Sequence, residues 1–301
     1  MTNAHEPPER IGFIGLGNMG SPMAGLLADA GYRLVVADAS PTALQRFAER
    51  VQCEQPGALR MLGEQCQVAI TMLPDGHAVR QVLLDEDGFA RALQPDAVVI
   101  DMSSSSPVGT RELATDLSKR QIHLVDAPVS GGVRRAIDGT LAIMAGGDGE
   151  VIESVRGILE VMGTVHLTGV QGSGHAMKAL NNYLSAGTLT LTAEAILAGT
   201  RFGLDAKTML DILNVSTGRS NTTEYKYPTF ILSRGFDSGF ATGLMAKDLR
   251  LALDVAASGG SPSAMLRALS KLWDAAEQRL GPQADHTEVV KYLESLLEEP
   301  T

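Results

Sequence analysis

Lys178 and Asn182 lie in a long, mostly apolar stretch in the middle of the chain, and their spacing permits acid–base chemistry. They are four residues apart, so a helix places them on the same face. A partly desolvated lysine has a lowered pKa and can exchange a proton near neutral pH. The amide of Asn182 can hold that lysine or a substrate in a fixed orientation. On these residues alone, a lysine that extends from the first helical turn into solvent is the alternative.

A second lysine, Lys247, precedes Asp248 at the start of another helical pattern. If Lys247 points into a cleft, it adds a cation near the reaction centre at Lys178. It would then also lower the pKa of Lys178 by like-charge repulsion. The alternative is that the Lys247-Asp248 pair is surface charge on an amphipathic helix.

A serine and two glycines, Ser130-Gly131-Gly132, follow a predicted strand. The N–H groups of such a loop are open to an anion, and the serine hydroxyl lies beside them. Arg134 and Arg135 come directly afterwards. The alternative is a flexible turn into a helix that carries two solvated arginines.

Near the beginning of the chain, a short apolar run starting at Ile11 leads into the pattern G-x-G-x-x-G. The first glycine permits a tight turn, the second lets a pyrophosphate approach the backbone, and the third lets the next helix pack against the sheet. The N–H groups and the positive end of that helix dipole then face the phosphates. The predicted dinucleotide-binding residues are Gly15, Leu16, Gly17, Asn18, Met19 and Gly20.

Asp38 ends the next apolar run, Arg33–Ala37, about 20 residues beyond the glycines. A carboxylate at this position can accept hydrogen bonds from the ribose hydroxyls of a dinucleotide. A 2′-phosphate would meet like charge there, so the sequence favours NAD, with NADP as the alternative. A different interpretation is that Asp38 only caps the turn at 39–41.

Apolar runs alternate with helical patterns from residue 11 to about 168, which predicts a doubly wound, mostly parallel α/β sheet. Ligands bind beyond the carboxyl ends of such strands. Two loops lie there, at 73–76 and at the serine run 103–106, although these serines could simply form a polar loop and a helix N-cap. After the first strand, the predicted strands are Arg33–Ala37, Val68–Met72, Val98–Met102, His123–Asp126, Leu141–Ala145 and Thr164–Leu167.

The pattern changes at about residue 168, where a glycine cluster precedes helical patterns only. We therefore predict two domains, 1–168 and 169–301. The first predicted helix of the second domain, 175–201, is apolar on all faces. A helix of this kind is normally buried, so we expect it to be the spine of this domain and to pack against a partner subunit.

Composition excludes several classes of protein. The 301 residues carry 25 Lys and Arg against 35 Asp and Glu, a formal charge of −10, without a basic stripe. Nucleic acid and anionic membrane are therefore not expected partners. Cys53 and Cys66 lack the spacing of a metal site, so no metal is predicted, and the simplest location is a reducing cytoplasm. The first ten residues lack the apolar region of a secretion signal, and no membrane span stands free.

Several of these segments occur together in one known family. They are Gly15–Met23, Leu73-Pro74, Asp126–Gly132, Gly169–Asn182 and Lys247–Leu249. With them the chain resembles the β-hydroxyacid dehydrogenases, which include 3-hydroxyisobutyrate dehydrogenase and tartronate semialdehyde reductase. The resemblance extends from residue 11 to about residue 293.

The resemblance implies a fold and a set of roles. The fold would be an N-terminal Rossmann domain joined by a long helix to an all-helical C-terminal domain, in a homodimer or homotetramer. Lys178 would be the catalytic lysine and Asn182 its substrate-binding companion. Ser130, Gly131 and Gly132 would hold the substrate carboxylate. Cofactor contacts would come from Leu73, Pro74, Ser104 and Lys247, the last of which would close over the nicotinamide side.

Two segments depart from the commoner pattern of this family. Val133-Arg134-Arg135 stands where small residues are usual, and the segment 216–223 lacks the aromatic residue associated with 3-hydroxyisobutyrate enzymes. Both segments could border the substrate. Within the second, Arg219 could pair with an additional anionic group or cap a helix C-terminus.

The sequence therefore predicts an oxidoreductase that transfers a hydride between NAD and the alcohol carbon of a small, anionic 3-hydroxycarboxylate, with Lys178 as the general acid and base. An NADPH-dependent reductase of a small semialdehyde, such as tartronate semialdehyde, is one alternative. A non-catalytic NAD-binding protein is another, although the presence of Lys178 argues against it. Which hydroxyacid is bound does not follow from the residues.

Overall fold

The computed structural model describes residues 10–297, and the chain divides into two compact units. The first extends to Lys178 and the second begins at Ala179. The predicted boundary between 168 and 169 stays a prediction. The prediction that no secretion signal is present concerns the first ten residues, of which 1–9 lie outside the described residues.

The first unit is built on a sheet with the strand order β2-β1-β3-β4-β5-β7-β6, in which β8 also pairs with β7. Strands β1 to β5 are parallel, whereas β7 is antiparallel to β5 and β6 and parallel to β8. The predicted doubly wound, mostly parallel sheet is confirmed. The strands are β1 Arg10–Ile14, β2 Arg33–Ala37, β3 Val68–Thr71, β4 Val98–Asp101, β5 His123–Asp126, β6 Val129–Ser130, β7 Leu141–Gly146 and β8 Gly163–Gly169.

Helices cover both faces of this sheet. Side chains alternate along each strand, so Ile70 contributes to the core on one face and Ala69 to the core on the other. The short helix α3 and the two-residue strand β6 were not predicted, because segments this short show little periodicity. Helix α6 is the helix with two arginines that the sequence allowed as the alternative for the loop 130–132. The helices are α1 Gly20–Asp29, α2 Pro41–Ala48, α3 Leu59–Gln65, α4 Gly76–Leu84, α5 Pro107–Ser118, α6 Gly132–Asp138 and α7 Gly149–Glu160.

Helix α8, Ser173–Phe202, runs through the division between the two units and opens the second one. The second unit is otherwise helical, as predicted. The segment Thr222–Ile231 is a π-helix that contains Pro228, which cannot donate a backbone hydrogen bond. The remaining helices are α9 Ala206–Asn214, α10 Thr242–Ser258, α11 Ala264–Leu280 and α12 Val289–Leu296.

The core of the second unit surrounds Trp273, which is fully buried and donates a hydrogen bond from its indole N–H to Thr190 Oγ1 at 3.0 Å. One face of α8 contributes to this core. Another face does not, because Leu184 is 64% and Leu191 60% exposed. This face is the one left for a partner subunit, and its burial against that subunit stays a prediction.

Three features of the described residues bear on membrane-spanning proteins, metalloproteins and disulfide-bonded proteins. Residues 10–297 contain no helix whose length and apolar character would suffice to cross a bilayer. Within the same range, no three His, Cys, Asp or Glu side chains are grouped so that they could hold a metal ion. Cys53 and Cys66 are free thiols, and burial raises the pKa of Cys66 to about 12. The cytoplasmic location stays a prediction.

Candidate active site

The glycine loop lies where the strand order of the sheet reverses. Strand β1 has β2 on one side and β3 on the other, and a crevice opens beyond the carboxyl ends of strands at such a point. Gly15 has a φ of +99°, and a Cβ there would overlap the carbonyl oxygen of Met72. A Cβ on Gly20 would overlap the carbonyl oxygen of Gly15. These two glycines are therefore required by the turn itself.

Gly17 has a different environment, which suits a bound phosphate. A Cβ on Gly17 would have no atom of the described residues within 4 Å, and Gly17 and Asn18 are exposed at the tip of the loop. Helix α1 begins three residues later, and no described side chain caps it. The positive end of its dipole is therefore not occupied by a described capping side chain, which suits an anion. The loop fits the pyrophosphate of a dinucleotide.

This difference gives a test of the loop. The variant Gly17→Ala is expected to fold with normal stability and to bind NAD at least about tenfold more weakly, because the added methyl group occupies the approach of the pyrophosphate. Gly25→Ala is the matched control, since a Cβ there also has no described atom within 4 Å and the residue lies within α1. Calorimetric titration with NAD measures both affinities. Equal affinities would refute the phosphate assignment.

Asp38 supports the glycine loop directly. Its Oδ2 accepts the N–H of Leu16 at 2.6 Å, and its Oδ1 accepts the N–H of Ser40 at 2.7 Å. The second bond is the turn cap that the sequence allowed as an alternative. Each carboxylate oxygen can accept more than one hydrogen bond, so contact with ribose hydroxyls stays a prediction.

The serine run after β4 is organised by a buried carboxylate. Asp101 Oδ1 accepts the N–H of Ser103 at 3.0 Å, and Oδ2 accepts the hydroxyl of Ser105 at 2.7 Å. Ser103 Oγ in turn accepts the N–H of Leu73 at 2.9 Å. The ends of β3 and β4 are therefore tied together. Sequence reasoning missed Asp101, although its place as the last residue of a buried parallel strand was a usable signal.

The loops 73–76 and 103–106 also contain a helix cap and the predicted cofactor contacts. Ser106 Oγ accepts the N–H of Gly109 at 3.4 Å and caps α5, as the alternative for this run proposed. Ser104 is half-buried and Pro74 is exposed. The contacts of Leu73, Pro74 and Ser104 with the cofactor stay predictions.

The Ser130-Gly131-Gly132 loop leads from β6 into α6. Gly131 and Gly132 have φ values of +139° and +71°, which side chains rarely adopt. A Cβ on Gly131 would lie 2.6 Å from Cδ of Arg135, so this arginine packs beside the loop. Arg134 is 83% exposed, as the solvated alternative proposed. The carboxylate-binding role of the loop stays a prediction.

Asp126, at the end of β5, fixes the beginning of α8. Its Oδ1 accepts the N–H of Gly172 at 2.7 Å and the side chain of Gln171 at 2.9 Å, and its Oδ2 accepts the N–H of His175 at 3.0 Å. The carboxylate is completely buried. Burial raises the pKa of Asp126, an effect that the N–H donors oppose. These bonds attach α8 to the sheet.

The imidazole of His175 lies near both strand-end aspartates. The ring is buried, and Nδ1 lies 2.8 Å from Thr110 Oγ1. The threonine hydroxyl donates to a backbone carbonyl at 2.9 Å, so Nδ1 carries the proton and donates to Thr110. Nε2 lies 3.6 Å from Asp101 Oδ2, and Nδ1 lies 3.9 Å from Asp126 Oδ2. Sequence reasoning did not single out His175.

Lys178 follows His175 by one helical turn and is half-buried, which agrees with a partly desolvated lysine. Four residues further along the same helix, Asn182 is only 6% exposed. Its Nδ2 donates to Asp248 Oδ2 at 2.5 Å, and its Oδ1 accepts from Asn181 at 3.0 Å. The orientation of the Asn182 amide is thereby fixed.

Lys247 and Asp248 are not simple surface charge. Asp248 is 1% exposed, and Lys247 Nζ lies 3.8 Å from its Oδ1 with the lysine side chain 21% exposed. Arg219 has a different environment from either proposed one, because its side chain is 62% exposed and its Nε lies 2.7 Å from Glu224 Oε1. The substrate and cofactor roles of Lys178, Asn182 and Lys247 stay predictions.

Two family models together match most of the chain. Residues 10–172 match the family model described as the NAD binding domain of 6-phosphogluconate dehydrogenase. Residues 172–293 match the model described as NAD-binding of NADP-dependent 3-hydroxyisobutyrate dehydrogenase. The chain belongs to the β-hydroxyacid dehydrogenase family. It is an NAD(P)-dependent dehydrogenase, and the resemblance and fold predicted from the sequence are confirmed.

Three members of the family show how closely the chain is related to proteins of known activity. It is 35% identical to 2-(hydroxymethyl)glutarate dehydrogenase of Eubacterium barkeri over 95% of both chains. It is 36% identical to NAD-dependent L-serine dehydrogenase of Pseudomonas aeruginosa, over 85% of this chain and 88% of the relative. The structure of Mycobacterium tuberculosis 3-hydroxyisobutyrate dehydrogenase with L-serine superimposes with a TM-score of 0.87 at 31% identity, covering 95% of this chain and 99% of that one.

Proposed function

We propose that this β-hydroxyacid dehydrogenase oxidises the alcohol carbon of a small, 3-hydroxyisobutyrate-like 3-hydroxycarboxylate with NAD. The observation that carries the proposal is the pair on α8, where half-buried Lys178 stands four residues before an Asn182 whose amide is fixed by buried Asp248. The compounds named for the three relatives support it, because 3-hydroxyisobutyrate, serine and 2-(hydroxymethyl)glutarate all carry a hydroxymethyl group beside a carboxylated carbon.

In this proposal the residues of the chain divide the work of the reaction. The nicotinamide, when bound, supplies the hydride acceptor. Neutral Lys178 takes the proton of the substrate hydroxyl, which contributes roughly 10²–10⁴-fold to the rate. Asn182 orients the substrate, and the N–H groups of the Ser130–Gly132 loop hold its carboxylate. Lys247 adds positive charge. In the reverse direction, the ammonium of Lys178 returns the proton to a semialdehyde.

A panel of hydroxyacids tests both the reaction and the cofactor. We expect NADH absorbance to rise with 3-hydroxyisobutyrate, L-serine or 2-(hydroxymethyl)glutarate, and NAD to exceed NADP in kcat/KM by at least about tenfold, because Asp38 repels a 2′-phosphate. Asp38→Asn should reduce that ratio, since the amide removes the charge. The amide also loses one of the two N–H bonds from Leu16 and Ser40, which affects both cofactors alike. A preference for NADP would contradict the role of Asp38 and favour the NADPH-dependent semialdehyde reductase. No turnover with any acid would refute the proposed reaction.

We further propose that the protein self-associates through α8. Leu180, Leu184 and Leu191 are 36%, 64% and 60% exposed and recur on one helical face. Exposed apolar stripes of this kind mark interaction surfaces. Leu184→Glu is expected to lower the molar mass measured by light scattering to that of one chain. Met265→Glu, at a 68% exposed position on α11, is the control and should leave the mass unchanged. A native chain that is already monomeric would refute this proposal.

A further inference from the structure

A third polar residue lies on the same face of α8 as the proposed catalytic pair. Ser185 follows Asn182 by three residues and Lys178 by seven, so the helical period aligns all three. Ser185 Oγ accepts a hydrogen bond from Nζ of Lys226 at 2.7 Å. Lys226 is half-buried and comes from the π-helix, three residues beyond the segment 216–223 that departs from the commoner family pattern. The contact thus places an ammonium one helical turn beyond Asn182.

The positive charge of Lys226 acts on a buried histidine of the second unit. His286 is buried, and its pKa is lowered by burial and by the positive charge of Lys226. His286 is therefore neutral at physiological pH and adds no charge to this region. Arg219, the cation that sequence analysis considered for an extra anion, is compensated by Glu224 instead. Lys226 is held against α8 by its bond to Ser185, on the face that carries Lys178 and Asn182.

Resting on the proposed function, we infer that Lys226 and Ser185 bind a second anionic group of the substrate. The substrate class is then a 3-hydroxycarboxylate whose 2-substituent ends in a further carboxylate or a similar anion. Seven residues of α-helix rise about 10 Å, so a hydroxyl near Lys178 and an anion near Lys226 are separated by a short alkyl chain. Ser185 accepts from the ammonium and keeps its own proton to donate to the anion.

The competing interpretation is that Lys226 only ties the π-helix to α8. A tie of that kind would affect all substrates in the same way, whereas a binding site for a second anion would discriminate between charged and neutral tails. The experiment therefore compares 2-(hydroxymethyl)glutarate with its distal monoamide, which has the same shape and one negative charge fewer. 3-Hydroxyisobutyrate serves as the substrate without a tail.

Steady-state kinetics is measured for the native enzyme, Lys226→Met, Lys226→Arg and the control Arg219→Met. The native enzyme is expected to prefer the dianion over the monoamide by about 10- to 100-fold in kcat/KM. Lys226→Met should bring this ratio close to one, mainly through KM for the dianion. Lys226→Arg should retain most of the preference, and Arg219→Met should not change it.

Two results would overturn the inference: equal kcat/KM of the native enzyme for the dianion and the monoamide, or an equal loss for all three substrates in Lys226→Met. Turnover of 3-hydroxyisobutyrate without discrimination would leave the proposed function intact. If no acid is turned over, the inference is tested by binding instead. Calorimetry then measures the affinities of the dianion and of the monoamide for the NAD-loaded protein. Equal affinities there also overturn the inference, whereas a preference for the dianion that Lys226→Met abolishes supports it.

Discussion

Lys178→Met is expected to lower kcat by about 10²–10⁴-fold while the affinity for NAD stays close to that of the native enzyme. Methionine preserves the length and apolar stem of lysine but cannot exchange a proton. Half-buried Lys178 stands at the start of α8, where the bonds of Asp126 fix the helix, so its removal should leave the backbone in place. Stopped-flow detection of NADH formation measures the loss, and fluorescence titration measures NAD affinity.

Two controls separate a proton-transfer role from a structural one. Lys207→Met removes an exposed lysine that pairs with Asp211 on α9, and it should leave kcat unchanged. Lys178→Ala should recover part of its activity when methylamine is added, because a small amine can replace the missing group. A Lys178→Met enzyme with native kcat would eliminate Lys178 as the acid–base residue.

Asp126→Ala is expected to lower the free energy of unfolding by about 3–5 kcal/mol. The substitution leaves the buried N–H groups of Gly172 and His175 without their acceptor and removes a negative charge from the N-terminus of α8. It also releases the helical turn that leads to Lys178, so we expect a loss of turnover in the fraction that remains folded. Urea denaturation measures the stability.

Asp148 provides the matched control for this prediction. It caps α7 through the N–H groups of Glu150 and Val151, as Asp126 caps α8, but these bonds are exposed. Asp148→Ala is therefore expected to cost only about 1 kcal/mol, the usual value for a helix cap. If the two variants lost a similar free energy of unfolding, the buried hydrogen bonds of Asp126 would stabilise the fold no more than an exposed helix cap does.

The parts of the site that could be predicted are those whose constraints are local in sequence. The glycine spacing predicted a strand, a turn and a helix, because Gly15 and Gly20 contact each other within that short segment. Likewise, Lys178 and Asn182 could be paired because helical spacing alone determines their common face. The strand pattern also predicted the parallel sheet, since both of its faces are buried.

The parts that could not be predicted join residues that are distant in sequence. Asp126 binds His175 across 49 positions, and Lys226 binds Ser185 across 41. No periodicity relates such residues, because only the folded topology brings them together.

Since α8 passes without a break from one compact unit into the other, the proposed catalytic lysine and its asparagine are kept in phase by backbone hydrogen bonds alone. One residue inserted between them would turn Asn182 by about 100° around the helix axis and carry it away from the side on which Lys178 lies. Insertions and deletions should therefore be excluded from this segment during the divergence of the family, while the loop that follows α8 can change in length.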